Sequence, residues 1–396
     1  MGSEHQGHLW NRSFILLAFG NLMMAIGFYF LIPTLPIYVV EELHAKPSDV
    51  GYILAIYTVS ALIIRPFTGI ALDTWGRKWI FLISLLVFTL TIAVYPLMSS
   101  FLFLLALRFF HGFSWGVTTT SSMTVVVDVI PPDKRGRGIG YFGISFTLSM
   151  AIAPVLALVI LEATGYLTMF MTAALFSFCG LVLATFVRYP VFIGKRDKVR
   201  YTWKQFIEPR GVPISIPLAL FGAAYGGVFS FITLFDKDLG LELAGTFFII
   251  LAGGVTISRL FAGQILDRYG PTYIMMTGFI LSIIGFFILG WFTSPAGFLI
   301  SAILIGIGAG ILIPTLMAMG NNIVDFKRRG AINATLITAF DLGIGAGSLG
   351  LGFLSELIGF PGMYLISTLI LFVALTYYFA HTNGFYLKRY NKETGS

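Results

Sequence analysis

At 396 residues, a water-soluble chain would divide into two or three domains of about 150 residues each. Composition excludes that: 57% of the residues are hydrophobic, only 11% are charged and mean hydropathy is +0.89, whereas a soluble domain carries roughly 25% charged residues. Soluble enzymes, nucleic-acid-binding domains and disordered tails are ruled out, and the net charge of +7 needs another origin than a nucleic-acid partner.

A helix needs about 20 apolar residues to cross a bilayer core of about 30 Å. In chain order, such stretches are predicted at 14–40, 49–72, 79–98, 101–127, 138–161, 165–188, 213–235, 243–266, 272–291, 297–319, 331–356 and 361–381. The polar start, Met1 to Arg12, leads straight into the first stretch, which is too long for a signal-peptide core, so no cleavable leader is expected. Connections are short except for a basic linker at 189–212, which separates a predicted six-span bundle (1–188) from a second one (213–396). The expected fold class is an all-α polytopic membrane protein with two six-helix pseudo-repeats.

The charges fix a predicted orientation. With both termini and the even-to-odd connections on one side, that side holds 20 of the 25 Lys and Arg residues. Only Lys46 and Lys237 fall opposite, while Arg65, Arg108 and Arg259 lie within spans. The asymmetry predicts an inner (plasma) membrane protein with both termini cytoplasmic, and it explains the basic balance without nucleic acid. Cys179, in the apolar run FSFCGLVLA, is expected to be a small buried residue; with one cysteine there is no disulfide, CxxC metal or redox motif.

The halves repeat. Residues 65–76 (RPFTGIALDTWG) and 259–270 (RLFAGQILDRYG) share six of twelve positions at an offset of 194. The same offset carries Gly112 and Gly116 onto Gly306 and Gly310, and Glu162-x-x-Gly165 onto Glu356-x-x-Gly359. Duplicated glycines could serve close helix packing alone. A duplicated Arg…Asp pair at a membrane edge points instead to a parallel-repeat transporter with a midplane site.

These residues carry a family resemblance over essentially the whole chain. Gly69-Ile-Ala-Leu-Asp73-Thr-Trp-Gly76-Arg77-Lys78, with its degenerate copy Gly263-Gln-Ile-Leu-Asp267-Arg-Tyr-Gly270, resembles the signature loop of the major facilitator superfamily. Gly69 is expected to let two helices approach closely and Gly76 to permit a tight turn. The resemblance implies a conformational latch of Gly69, Asp73, Gly76, Arg77, Gly263 and Asp267, with Asp128 as the partner of Arg77. Leu104-x-x-x-Arg108-x-x-His111-Gly112 is similar to the motif around the intramembrane Arg of proton-coupled antiporters, with His in place of the usual Gln. Ile26-Gly27-x5-Pro33-Thr-Leu-Pro36 is similar to a motif of the 12-span drug:proton antiporters. In the span-5 antiporter signature, Ala153-Pro154 stands where Gly-Pro is expected.

Ionisable groups inside a bilayer cost about 2.5–3.5 kcal/mol each and so call for a role. Asp341 lies near the middle of span 11, deeper than any other carboxylate, and is the expected proton-exchanging group. Arg108 is expected to face a cavity and tune a nearby acid. His111, one turn deeper on the same face, reads equally as a proton carrier or a packing residue. Asn21, Tyr29, Trp115 and Tyr225 are the expected substrate-lining residues, on spans that flank the cavity in the family. Glu162 and Glu356 are expected to be solvated caps at outer helix ends.

The expected function is proton-coupled efflux of small amphipathic molecules or drugs by alternating access. The expected partners are substrate, protons and the lipid bilayer; the chain is expected to be a monomer needing no cofactor or metal. A proton-coupled symporter importing a sugar or organic acid is the alternative on the same fold. A polytopic membrane enzyme or sensor is the second alternative, and the spans offer it no carboxylate pair, His cluster or nucleophile triad. No GxxxxGK[ST] loop occurs, which argues against ATP-driven pumping.

Overall fold

The computed structural model describes residues 8–131, 134–189, 208–325 and 328–394. Its helices are α1 (Arg12–Glu41), α2 (Asp49–Trp75), α3 (Arg77–Val94), α4 (Phe101–Val129), α5 (Arg135–Thr185), α6 (Val212–Leu239), α7 (Ala244–Tyr269), α8 (Pro271–Trp291), α9 (Pro295–Asn322), α10 (Arg329–Tyr377) and α11 (Asn383–Thr394). A 3₁₀ turn, Tyr95–Leu97, extends α3, and a π turn, Tyr378–Thr382, joins α10 to α11.

Ten of these segments, among the described residues, are long and apolar enough to cross a membrane. α5 and α10 count twice. They run 51 and 49 residues, or about 75 Å each at 1.5 Å per residue, and each is broken once, at Gly165 and Gly359. Twelve spans result, as the sequence predicts. No loop separates spans 5 and 6 or 11 and 12; a single glycine turns the chain in each case. Of the predicted linker, residues 190–207 lie outside the described residues, and the turn Pro209–Gly211 leads into α6.

The chain forms two compact units, residues 1–35 with 59–198, and 36–58 with 199–396. In the first, α1 lies against the second half of α5, where Gly20 and Gly180 meet. A Cβ at Gly180 would stand 2.7 Å from the Gly20 carbonyl oxygen. Thr89 on α3 and Ser177 on α5 share a hydrogen bond of 2.7 Å. In the second unit α6 lies on α10, and Cβ atoms at Gly222 and Gly226 would meet the Phe340 and Ile344 carbonyls at 2.6 and 2.5 Å. The α1–α2 tip also belongs to this unit: Glu41 pairs with Lys237, and Ser48 donates to the Glu356 carboxylate at 2.5 Å. Glu356 is therefore exposed but engaged, which corrects its reading as a solvated cap.

The 194-residue repeat reappears as repeated geometry. Gly76 (φ 88°, ψ 167°) and Gly270 (φ 74°, ψ 178°) open α3 and α8; Gly165 (φ 82°, ψ 179°) and Gly359 (φ 71°, ψ 173°) break α5 and α10. That region of φ/ψ is open essentially to glycine alone. Ser100 and Ser294 cap α4 and α9 by accepting from the backbone N–H groups of Phe103 and Gly297. Gly116 and Gly310 face the carbonyls of Ala61 and Val255, themselves 194 residues apart, and a Cβ at either would stand 2.6 Å from the oxygen. Gly116 and Gly310 are thus packing residues.

Cys179 is exposed, not buried as predicted. An apolar run reads alike on a lipid-facing surface and in a core, so hydropathy cannot separate the two.

These geometries generate a paired test in one helix. Gly359→Ala forces a side chain into a positive-φ position and is expected to destabilise the protein by about 1–3 kcal/mol. Gly350→Ala places its Cβ in open space in regular helix and is expected to leave thermal stability unchanged or slightly raised. Thermal denaturation of the purified variants reads both.

Candidate functional site

The first unit buries one polar cluster at the junction of α3 and α4. Ser100 caps α4, and Arg108 and His111 follow two and three turns into the helix. α3 tightens into its 3₁₀ turn at Tyr95, with Pro96 next, and this turns the Tyr95 ring inward. Tyr95 and His111 are fully buried and Arg108 is 3% exposed, so the guanidinium does not snorkel to a surface. The Tyr95 hydroxyl lies 2.7 Å from His111 Nδ1, and Arg108 Nη1 donates to that hydroxyl at 3.2 Å. Arg108 Nη1 also lies 3.4 Å from His111 Nδ1. Phe88 packs on the His111 ring at 4.7 Å, and Phe170 stacks on Tyr95 at 5.5 Å.

One turn beyond His111, Trp115 stacks on Phe28 at 4.2 Å with planes 22° apart, and Phe28 meets Tyr29 edge-on. Trp115 also contacts Phe88 and Phe146, at 5.6 and 6.3 Å. The polar trio and this aromatic group are therefore continuous. Asn21 lies apart from the aromatic ring contacts. It is buried, donates to Ser145 Oγ at 2.6 Å and accepts from Ser122 Oγ at 3.4 Å, tying α1 to α5 and α4. It borders a narrow gap, room for about one water-sized sphere, with Met24, Phe81, Leu85 and Ser122.

In the signature loop, Arg77 Nε bonds Asp128 Oδ2 at 2.9 Å across the ends of α3 and α4, and Arg77 Nη1 donates to the Leu72 carbonyl at 3.0 Å. The structure thus brings together the two residues the resemblance pairs. Asp73 and Asp267 belong to α2 and α7, but their side chains lie outside the described residues. Gly69 and Gly263 correct an expectation: among the described residues no atom lies within 4 Å of where their Cβ would stand, so they sit at no tight helix contact. The duplicated close approach falls instead at Gly116 and Gly310, further along the interface.

In the second unit Asp341 is half-buried, about twelve residues into α10, with exposed Leu342 beside it. Its neighbour Phe340 begins an aromatic row: Phe340 with Phe221 (6.4 Å), Phe221 with Tyr225 (5.4 Å), and Tyr225 with Phe229 (4.8 Å). Tyr225 is buried in this row.

Sequence reasoning passes over three groups. Tyr95 completes the Arg108–His111 cluster. Glu208, at the end of the predicted solvated linker, is buried; it takes the Arg328 guanidinium at 2.7 Å, and its backbone N–H donates to Thr335 Oγ1 at 2.9 Å. Asp236 is buried and accepts from the backbone N–H groups of Leu243 and Ala244, capping α7. The repeat holds the signal for Tyr95. The same offset carries Tyr95, Arg108 and His111 onto Leu289, Ala302 and Ile305, so the polar trio departs from an apolar pattern.

Comparison with known proteins follows the same lines. The family model for the Major Facilitator Superfamily matches residues 17–276 and 243–393. The chain is 24% identical over 351 residues to a staphylopine export protein of Staphylococcus aureus, covering 85% of this chain and 87% of that one. It is 21% identical over 345 residues to the quinolone resistance protein NorA of Staphylococcus aureus, covering 82% and 86%. In fold it is similar to a bacterial homologue of the human lysosomal transporter Spinster (TM-score 0.81, 14% identity, 97% of this chain and 99% of that chain). It is likewise similar to the nucleoside transporter NupG (TM-score 0.73, 16% identity, 93% and 98%). At those identities the solved structures speak for the fold alone. With the family model spanning both halves and twelve spans in place, the chain belongs to the Major Facilitator Superfamily and is a multi-pass membrane transporter, not an enzyme.

Proposed function

We propose that the chain is a proton-driven exporter of small amphipathic molecules, working by alternating access in the plasma membrane with both termini in the cytoplasm. One observation carries the coupling: a single carboxylate, Asp341, sits about 18 Å along α10 from Arg329, half-buried beside an aromatic row. Arg108 and His111 supply fixed polar groups in the other unit. Trp115, Tyr29 and Tyr225 offer aromatic faces, which suit amphipathic and cationic substrates, and Asn21 a polar contact. The export direction draws its support from the relatives, whose names are those of an export protein and a drug-resistance protein.

The Arg77–Asp128 pair acts in this reading as a conformational latch. Both side chains are partly exposed, 22% and 28%. Such a pair contributes about 0–1 kcal/mol to stability, which suits a contact that biases conformations rather than holding the fold.

Two outcomes follow. In proteoliposomes with an imposed pH gradient, and with a fluoroquinolone and ethidium as probes, Asp341→Asn is expected to lose gradient-driven flux at least about tenfold, the loss of a group essential to coupling. Its chromatographic profile stays that of the wild type. Uptake driven by inward proton flow would sink the export reading, and unchanged flux would remove Asp341 from the mechanism. Asp128→Asn is expected to lower stability by no more than about 1 kcal/mol while slowing transport severalfold. The exchange Arg77→Asp with Asp128→Arg restores part of the rate; a variant that transports normally contradicts the latch.

A further inference from the structure

The polar trio in the first unit has a built-in control. The repeat offset places Leu289, Ala302 and Ile305 of the second unit at the positions of Tyr95, Arg108 and His111, and all three are buried. The second unit therefore packs these three positions with hydrocarbon side chains. Packing does not require Tyr95, Arg108 or His111, and burying them without purpose is costly.

Hydrogen placement in the trio is decided by donor chemistry. A guanidinium only donates, so the Tyr95 oxygen accepts from Arg108 Nη1 at 3.2 Å. The hydroxyl hydrogen of Tyr95 has one acceptor in its hydrogen-bond contacts, His111 Nδ1 at 2.7 Å. Were Nδ1 to carry the hydrogen, it would donate to Tyr95 and leave the tyrosine hydrogen with no acceptor among its hydrogen-bond contacts. It would also face the Arg108 donor 3.4 Å away. Two donors approach Nδ1, and only a bare Nδ1 can accept the nearer of them, the Tyr95 hydroxyl.

We propose that Tyr95 is a positioning residue that locks His111 in the tautomer with its hydrogen on Nε2 and holds the Arg108 guanidinium against it. His111 is then fixed in ring orientation and tautomer, and the proton moves elsewhere. The proposal rests on the reading that this cluster belongs to the coupling machinery, but the tautomer is measurable without any transported substrate. Stacking on Phe170 fixes the tyrosine ring, and the 3₁₀ turn fixes its backbone, so the hydroxyl has little freedom to release Nδ1.

The test is nitrogen NMR of the full-length protein in detergent, with ¹⁵N in its histidine rings. The chain has five histidines, and the His111 signals are those lost in His111→Gln. The wild type is expected to show one tautomer, with Nδ1 unprotonated and Nε2 protonated. In Tyr95→Phe, which keeps the ring and its stacking, that single-tautomer signature is lost to an exchange-averaged pair. A wild-type His111 carrying hydrogen on Nδ1, or a Tyr95→Phe spectrum identical to wild type, overturns the proposal. If Tyr95→Phe fails to fold, Tyr95→Leu, the residue of the apolar counterpart, takes its place with the same two outcomes. Should Asp341→Asn leave flux intact while the tautomer behaves as described, the coupling reading falls and the positioning role stands.

Discussion

Close backbone approach between helices is what the rest of this structure depends on. Lipid removes most of the hydrophobic force that would drive helices together in water, leaving dispersion contacts and a few hydrogen bonds. The glycines at 180, 222, 226, 116 and 310 bring helix surfaces within reach of a neighbouring carbonyl, where even a methyl group would collide. Small hydroxyls finish the work, as in Thr89 with Ser177 and Ser230 with Ser348. The same economy makes any larger polar group inside the bundle conspicuous.

The repeat turns that contrast into an internal comparison. Where the two halves share a residue type, they share a geometry: the positive-φ glycines, the serine caps and the Gly116/Gly310 contacts recur at one offset. Where they differ, ionisable groups can stand on one side of the comparison alone. The Tyr95–Arg108–His111 trio faces an apolar counterpart, the Arg77–Asp128 pair becomes Pro271 and Asn322, and Asp341 corresponds to Thr147. The scaffold is duplicated while these ionisable groups are singular, an asymmetry on which the proposed coupling rests.

Much of this was legible in the sequence because the physics involved is local. Span length and turn-forming glycines depend on neighbouring residues only, so twelve spans and the break points near Gly165 and Gly359 could be read directly, whereas the Arg77–Asp128 pairing came from the family resemblance. Facing direction is not local. Cys179 lies on the outer surface because lipid and core select the same apolar residues. Tyr95 escaped notice because its neighbourhood, TIAVYPLMSS, reads as an ordinary span end. Glu208 lay hidden in a basic stretch that looked solvated, although Arg328, 120 residues on, buries it. Gly69, lacking a Cβ, is expected to allow a close helix approach, yet the tight contact falls at Gly116.

The account turns on a proton being displaced from Asp341 as substrate binds, and one measurement meets that claim directly. Purified protein in weakly buffered detergent solution is mixed with a fluoroquinolone while a soluble pH indicator is followed. The account predicts acidification in the wild type, scaling with the amount of protein, and none in Asp341→Asn that still binds the probe. Binding without proton release in the wild type, or the same release from Asp341→Asn, would contradict it.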